Sequence, residues 1–206
     1  MKKQTVFILF IVVIALAVGL WREYQDAPNE PSASQLNSHL SAGTLLGQPK
    51  KLAAFDLIDM ESKPFTNQSL KGQWSFLFFG YTSCPDICPT TLGAIQQIAS
   101  RLQGTANLQF VFVSINPEKD SPLQLKDYLS QEKFNIVNFV GVTGEKEKIQ
   151  TLAESVGIHT VQSEHSSTLL LINPEGKLAA IFTSSEKPQA IARDFKEVVH
   201  RYITQI

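Results

Sequence analysis

Cysteine is nearly missing: the 206 residues hold two, Cys84 and Cys88. No multi-disulfide framework and no four-thiolate zinc site can be built from them. A charge excess of one sign is lacking too, with 18 Lys+Arg against 19 Asp+Glu and a net charge of −1. That balance excludes a protein built to hold nucleic acid, which needs a basic stripe to displace counterions from phosphates. No internal repeat is present. Hydrophobic residues at 43% and charged residues at 18% exclude a disordered chain, a collagen-like array and a multi-span membrane protein.

What is present begins with an unbroken apolar run from Val6 to Trp21, preceded by Lys2 and Lys3. As a helix it covers roughly 24 Å, short of a hydrocarbon core of about 30 Å. Snorkelling lysines or local thinning of the bilayer make up the difference. Residues 1–21 are expected to be a retained membrane anchor, since the run continues to an interface-type Trp21. The rival reading is a cleaved secretory signal with Ala15-Leu16-Ala17 as the cleavage site. No cysteine follows the run, so a lipoprotein signal is excluded. Both readings put the lysines inside and export the rest. The absence of an Arg- and Ser-rich leader points to the bacterial inner membrane, with the domain on the periplasmic side.

Residues 22–43 are rich in Ser, Asn, Gln and Pro and poor in large apolar side chains. Such a stretch cannot offset its ordering entropy by burial and is expected to be a flexible tether. Residues 44–206 are of ordinary size for one domain. Strands are expected at 74–81, 108–115, 138–142, 168–172 and 178–183. Helices are expected at 90–102, 123–130 (opened by Pro122), 145–156 and 188–202. Strands alternating with helices, followed by a hairpin and a helix, predict an α/β layered sheet of thioredoxin-like type.

Directly after the first buried strand comes Gly80-Tyr81-Thr82-Ser83-Cys84-Pro85-Asp86-Ile87-Cys88-Pro89. Loops after the carboxyl ends of strands handle ligands in open α/β sheets. Pro85 and Pro89 each disfavour helical dihedrals in the preceding cysteine, so the thiols are expected in a tight loop feeding a helix that starts near Pro89. Free N–H groups and the positive helix end there favour a thiolate. The plain alternative is a structural disulfide, although a loop this short closes little chain entropy. Far downstream stands His165, just before strand 168–172. A loop histidine alone is an ordinary surface residue, and His39, His159 and His200 read that way. Joined to two thiols, His165 completes a soft donor set suited to copper, as Cu(I) or Cu(II). Structural zinc would need a fourth ligand. Asp86 reads as a solvated loop acid.

The segments FFGYTSCPDICPTTL, VFVSINPEKDSP and EHSSTLLLINPEGK together resemble the Sco/SenC family over residues 50–203. The resemblance implies a thioredoxin-like fold and copper held by Cys84, Cys88 and His165. It further implies a metallochaperone that inserts copper into the binuclear centre of cytochrome c oxidase subunit II, fed by a copper donor chaperone. Some members act instead as thiol–disulfide reductases. Two departures stand out: Asn116-Pro117-Glu118-Lys119-Asp120 replaces the family's Asp-Pro-x-Arg-Asp, and Glu164 replaces an Asp before His165. The first changes charge beside the site. The second keeps a carboxylate that can orient the imidazole.

Three functions follow. A copper metallochaperone needs all three ligands. A membrane-anchored thiol–disulfide oxidoreductase that reduces an apo-metalloprotein needs Cys84 and Cys88 but not His165. An interaction module with a structural disulfide needs neither thiol free. A peroxidase is disfavoured, because Tyr81 rather than a threonine stands three residues before Cys84.

Overall fold

The computed structural model describes residues 40–105, 107–131, 134, 136–158 and 167–204. The apolar run 1–21 and most of the expected tether lie outside these residues. Among the described residues no helix is long and apolar enough to cross a membrane.

Two strands form the centre, β4 (Trp74–Gly80) and β5 (Leu108–Ser114), and every residue in both is buried. They run parallel, paired from Trp74–Leu108 to Gly80–Ser114. A parallel pair covered on both faces has no polar side to present, which is why both read as near-continuous apolar runs, broken by Ser75, Gln109 and Ser114. The full sheet has the order β1-β8-β7-β4-β5-β6-β2-β3. Its other members are β1 (Gly43–Lys51), β2 (Asp56–Asp59), β3 (Pro64–Thr66), β6 (Phe139–Thr143), β7 (Thr168–Ile172) and β8 (Lys177–Thr183). β6 continues the parallel set, whereas β7, β8, β1, β2 and β3 add antiparallel pairings.

Alternation along β4 and β5 divides the core into two layers. Phe76, Phe78, Phe110 and Phe112 face one layer. Leu77, Phe79, Val111 and Val113 face the other. The first is closed by α1 (Ile87–Arg101), α2 (Pro122–Leu129) and α4 (Pro188–Thr204), through Leu92, Ile95, Ile98, Leu125 and Phe195. The second is closed by α3 (Lys146–Ser155), through Ile149 and Leu152. Each fully buried Leu or Phe adds about 2 kcal/mol relative to exposure. The thioredoxin-like α/β arrangement expected from the alternation of elements is therefore present.

Two expectations are corrected. Residues 40–43, assigned to the tether, are packed: Leu40 and Ala42 join the core, and β1 starts at Gly43. The cause is Asp194 on α4, a buried carboxylate that must find donors. It takes the Ser41 hydroxyl at 2.8 Å and the Ala42 N–H at 2.7 Å. Gly43 then lies against the Phe182 ring, where a Cβ would meet the ring at 2.4 Å. The second correction concerns α1, which starts at Ile87 rather than near Pro89. Pro89 costs no hydrogen bond there, because N–H groups of a first helical turn have no intrahelical acceptor. Cys88 is thus inside the helix. The edge strands β1 and β3, and β2 inside the β3 edge, have no counterpart among the expected strands.

Candidate functional site

The cysteine loop leaves β4 at Gly80, and the Ile115 N–H donates to the Gly80 carbonyl at 2.8 Å, so the parallel pairing runs up to the loop itself. A turn follows in which the Cys84 N–H donates to the Tyr81 carbonyl at 3.2 Å. The Cys88 N–H, one of the free donors of the first turn of α1, points at the Cys84 sulfur at 3.3 Å. Neither cysteine is in a disulfide and both are buried, Cys84 4% and Cys88 2% exposed. The helix end therefore presents an N–H to the Cys84 sulfur. Cys88 differs. Burial pushes its thiol up to about 12, helped by a hydrogen bond with Cys84 and the charges of Cys84 and Asp120, against an opposing backbone bond from Tyr81. Burial therefore favours the protonated Cys88 thiol.

Under the pair lies an aromatic floor. Phe78 and Phe112 meet edge to face at 5.7 Å, and Phe112 contacts Tyr128 of α2 at 6.3 Å. The Tyr128 hydroxyl is buried with no hydrogen-bond partner among the described residues. Burial raises its pKa to about 12, and Cys88, Cys84 and Asp120 add to the effect. Tyr81 is raised by burial first and then by the Cys84 sulfur, with which its side chain is hydrogen-bonded.

Asp120 braces the loop from the β5–α2 connection. It is fully buried and accepts from the Thr82 N–H at 3.0 Å, the Thr82 hydroxyl at 2.6 Å and the Ser114 hydroxyl at 2.6 Å. Charge-assisted bonds of this kind are the strong ones, so Thr82, two residues before Cys84, is held firmly. Asp120 stood in the sequence only as the last residue of a departing motif. Nothing there marked it as a brace, because the acid and Thr82 are 38 residues apart. Asp86 is exposed and makes no side-chain cap bond, in keeping with a solvated loop acid.

His165 and Glu164 lie in segment 159–166, outside the described residues. Among the described residues no three His, Cys, Asp or Glu side chains are grouped to hold a metal ion. The chain returns at Ser167, whose carbonyl accepts the Ser184 N–H at 2.6 Å. The Ser184 and Thr91 hydroxyls are 3.1 Å apart, and Thr91 sits on α1 three residues after Cys88. Ser167, two residues after His165 in the chain, is thus tied to the helix that carries Cys88.

Residues 44–200 match the SCO1/SenC family. The chain belongs to that family. Relatives of the SCO1/SenC chain include an SCO2-like protein of Rickettsia felis, 31% identical over 95% of this chain and 99% of the relative. Among solved structures it is similar to yeast Sco1 with copper bound, with a TM-score of 0.66 and 28% identity over 74% of this chain and 94% of that one. Bradyrhizobium japonicum ScoI with copper bound gives a TM-score of 0.61 and 28% identity, over 72% and 99%.

Proposed function

We propose that this SCO1/SenC protein is a copper carrier in which Cys84, Cys88 and His165 bind one copper ion and pass it to the copper centre of cytochrome c oxidase subunit II. The carrying observation is the pair of reduced sulfurs joined by the Cys88 N–H to Cys84 Sγ bond in a family whose yeast and Bradyrhizobium members hold copper. Two sulfur donors and an imidazole suit a soft, exchangeable ion, and copper here is cargo. Delivery is by ligand exchange with the receiving protein, after a copper donor has loaded the site. The tie from Ser167 through Ser184 to Thr91 supports His165 as the third ligand. Binding costs protons, and the raised Cys88 thiol makes that cost depend on pH. The apolar run 1–21 is read as an anchor in the bacterial inner membrane, with the folded domain on the exported side.

The test is metal analysis with absorption spectroscopy of the reduced full chain in detergent, wild type beside His165→Ala. One copper per chain and a Cu(II) spectrum altered in the variant are expected. An unchanged spectrum removes His165 from the site.

A second reading rests on the helix N–H aimed at Cys84. In it Cys84 attacks a partner disulfide as a thiolate; the new S–S bond forms as the old one breaks, and the departing sulfur takes a proton. Cys88 then loses its proton and attacks Cys84, releasing the partner's second thiol and leaving a Cys84–Cys88 disulfide. The partner gains the two electrons that this pair loses. Reductase activity that survives His165→Ala and disappears in Cys84→Ser and Cys88→Ser supports it.

A further inference from the structure

Beside the cysteine loop the fold makes a second concavity. β5 and β6 are parallel neighbours, yet the chain leaves β5 for α2 on one face of the sheet and leaves β6 for α3 on the other. Divergence of this kind opens a crevice beyond the carboxyl ends of the two strands, where open α/β sheets bind ligands. A cavity of about 560 Å³ occupies the place, walled by residues of β2, the β5–α2 connection and the start of α3.

Its lining has three unusual properties. Thr143, the last residue of β6, is 3% exposed, and its hydroxyl has no hydrogen-bond partner among the described residues. A buried hydroxyl left unmatched is costly unless something fills the place. The charges are unequal: the described lining holds Asp56, Asp120 and Glu145 against one cation, Lys148. The Lys148 ammonium already sits 3.3 Å from Glu145 and 3.5 Å from Asp56, with both carboxylates largely exposed and able to take a second cation. Third, Ile58 is 39% exposed although it sits in a strand of the sheet, and with Pro122 it makes an apolar wall.

An apolar wall leading to excess carboxylates and a free hydroxyl is the complement of an alkyl stem ending in a cation. We propose that this cavity is a docking pocket for a lysine or arginine side chain of a partner protein that meets the cysteine loop. Asp120 makes the connection, because it lines the cavity and holds Thr82 by two hydrogen bonds. A side chain seated here keeps its own chain beside Cys84. The inference stands on the cavity alone and holds whether or not copper is the cargo.

The experiment is an amide NMR titration of the reduced, metal-free full chain in detergent with the capped tripeptide Gly-Arg-Gly, with capped Gly-Glu-Gly as control. Saturable shifts are expected at Thr143, Glu145, Lys148 and Thr82 with the arginine peptide alone. Asp56→Asn and Glu145→Gln, both at exposed carboxylates that leave the fold intact, weaken binding about three- to fivefold each. Thr143→Val keeps the shape of the side chain, and it weakens binding as well. No saturable shift, an equal response to the glutamate peptide, or affinity unchanged in all three variants overturns the proposal. Shifts that never reach Thr82 overturn the coupling to the loop.

Discussion

The Cys88 sulfur lies against Gly80, so close that a Cβ on Gly80 would stand 3.1 Å from it and 2.9 Å from the rings of both Phe78 and Phe112. The last residue of β4 thereby sets how deep the thiol can sit. Gly80→Ala gains a little through a stiffer unfolded chain, about 0.4–1 kcal/mol. Overpacking two rings and a sulfur costs about 1–3 kcal/mol and wins. Urea denaturation of the reduced protein is expected to show a net loss, with faster alkylation of Cys88 as the thiol is pushed outward.

Raising the pH should weaken the reduced, metal-free fold. Cys88 titrates near 9.0 when unfolded and at about 12 when folded. Tyr128 moves from 10.0 to about 12. Between those limits the unfolded chain loses protons that the folded chain keeps, so stability is complete below pH 9 and is lost as the pH climbs toward 12. Urea midpoints taken from pH 8 upward are expected to fall. Cys88→Ala flattens the first part of the decline and Tyr128→Phe the second; curves that stay parallel to wild type contradict both assignments.

Asp120→Ala removes the carboxylate that holds Thr82 by both its N–H and its hydroxyl, and leaves the Ser114 hydroxyl without its acceptor. A cost of about 3 kcal/mol is expected in denaturation. Asp120→Asn keeps one oxygen and is expected to recover part of it. Equal losses in the two variants would mean that the carboxylate's second oxygen and its charge are what matter.

Ser184 joins two elements through separate atoms, its N–H to Ser167 and its hydroxyl to Thr91. Ser184→Ala keeps the first and breaks the second, at about 1 kcal/mol. On the copper reading, the variant also broadens or shifts the Cu(II) absorption while still binding one ion. Thr91→Val is expected to do the same. A spectrum identical to wild type in both variants would remove the tie from the copper site.

Asp194→Ala frees the Ser41 hydroxyl and the Ala42 N–H together. The start of the folded domain is then expected to become a protease site around residue 41, at a stability cost of about 2–3 kcal/mol. Wild-type resistance in the variant would show that Leu40 and Ala42 hold that end by burial alone.

Much of the fold was legible. β7 matched its expected bounds, and α2 started at Pro122 with Ser121 and Gln124 forming a capping box. Those signals are local. β1 was missed because it is an edge strand whose side chains stay largely exposed, so no alternation marks it. It is a strand only because β8 pairs with it. The start of α1 was misplaced because the aversion of residues before proline to helix is a tendency, and packing of Cys88 and Leu92 on the aromatic floor outweighed it.

Periodicity, punctuation by proline and glycine, and a cysteine pair after an apolar strand were enough to establish from the chain the α/β class, the order of its main elements and the loop that carries the chemistry. These follow from contacts between residues a few positions apart, which any chain displays in its order. The burial that holds the Cys88 proton, the acid that braces the loop and the crevice that stays open were decided by the folded molecule. Those properties arise from burial and from partners such as Thr82 and Asp120, which only the completed sheet brings together.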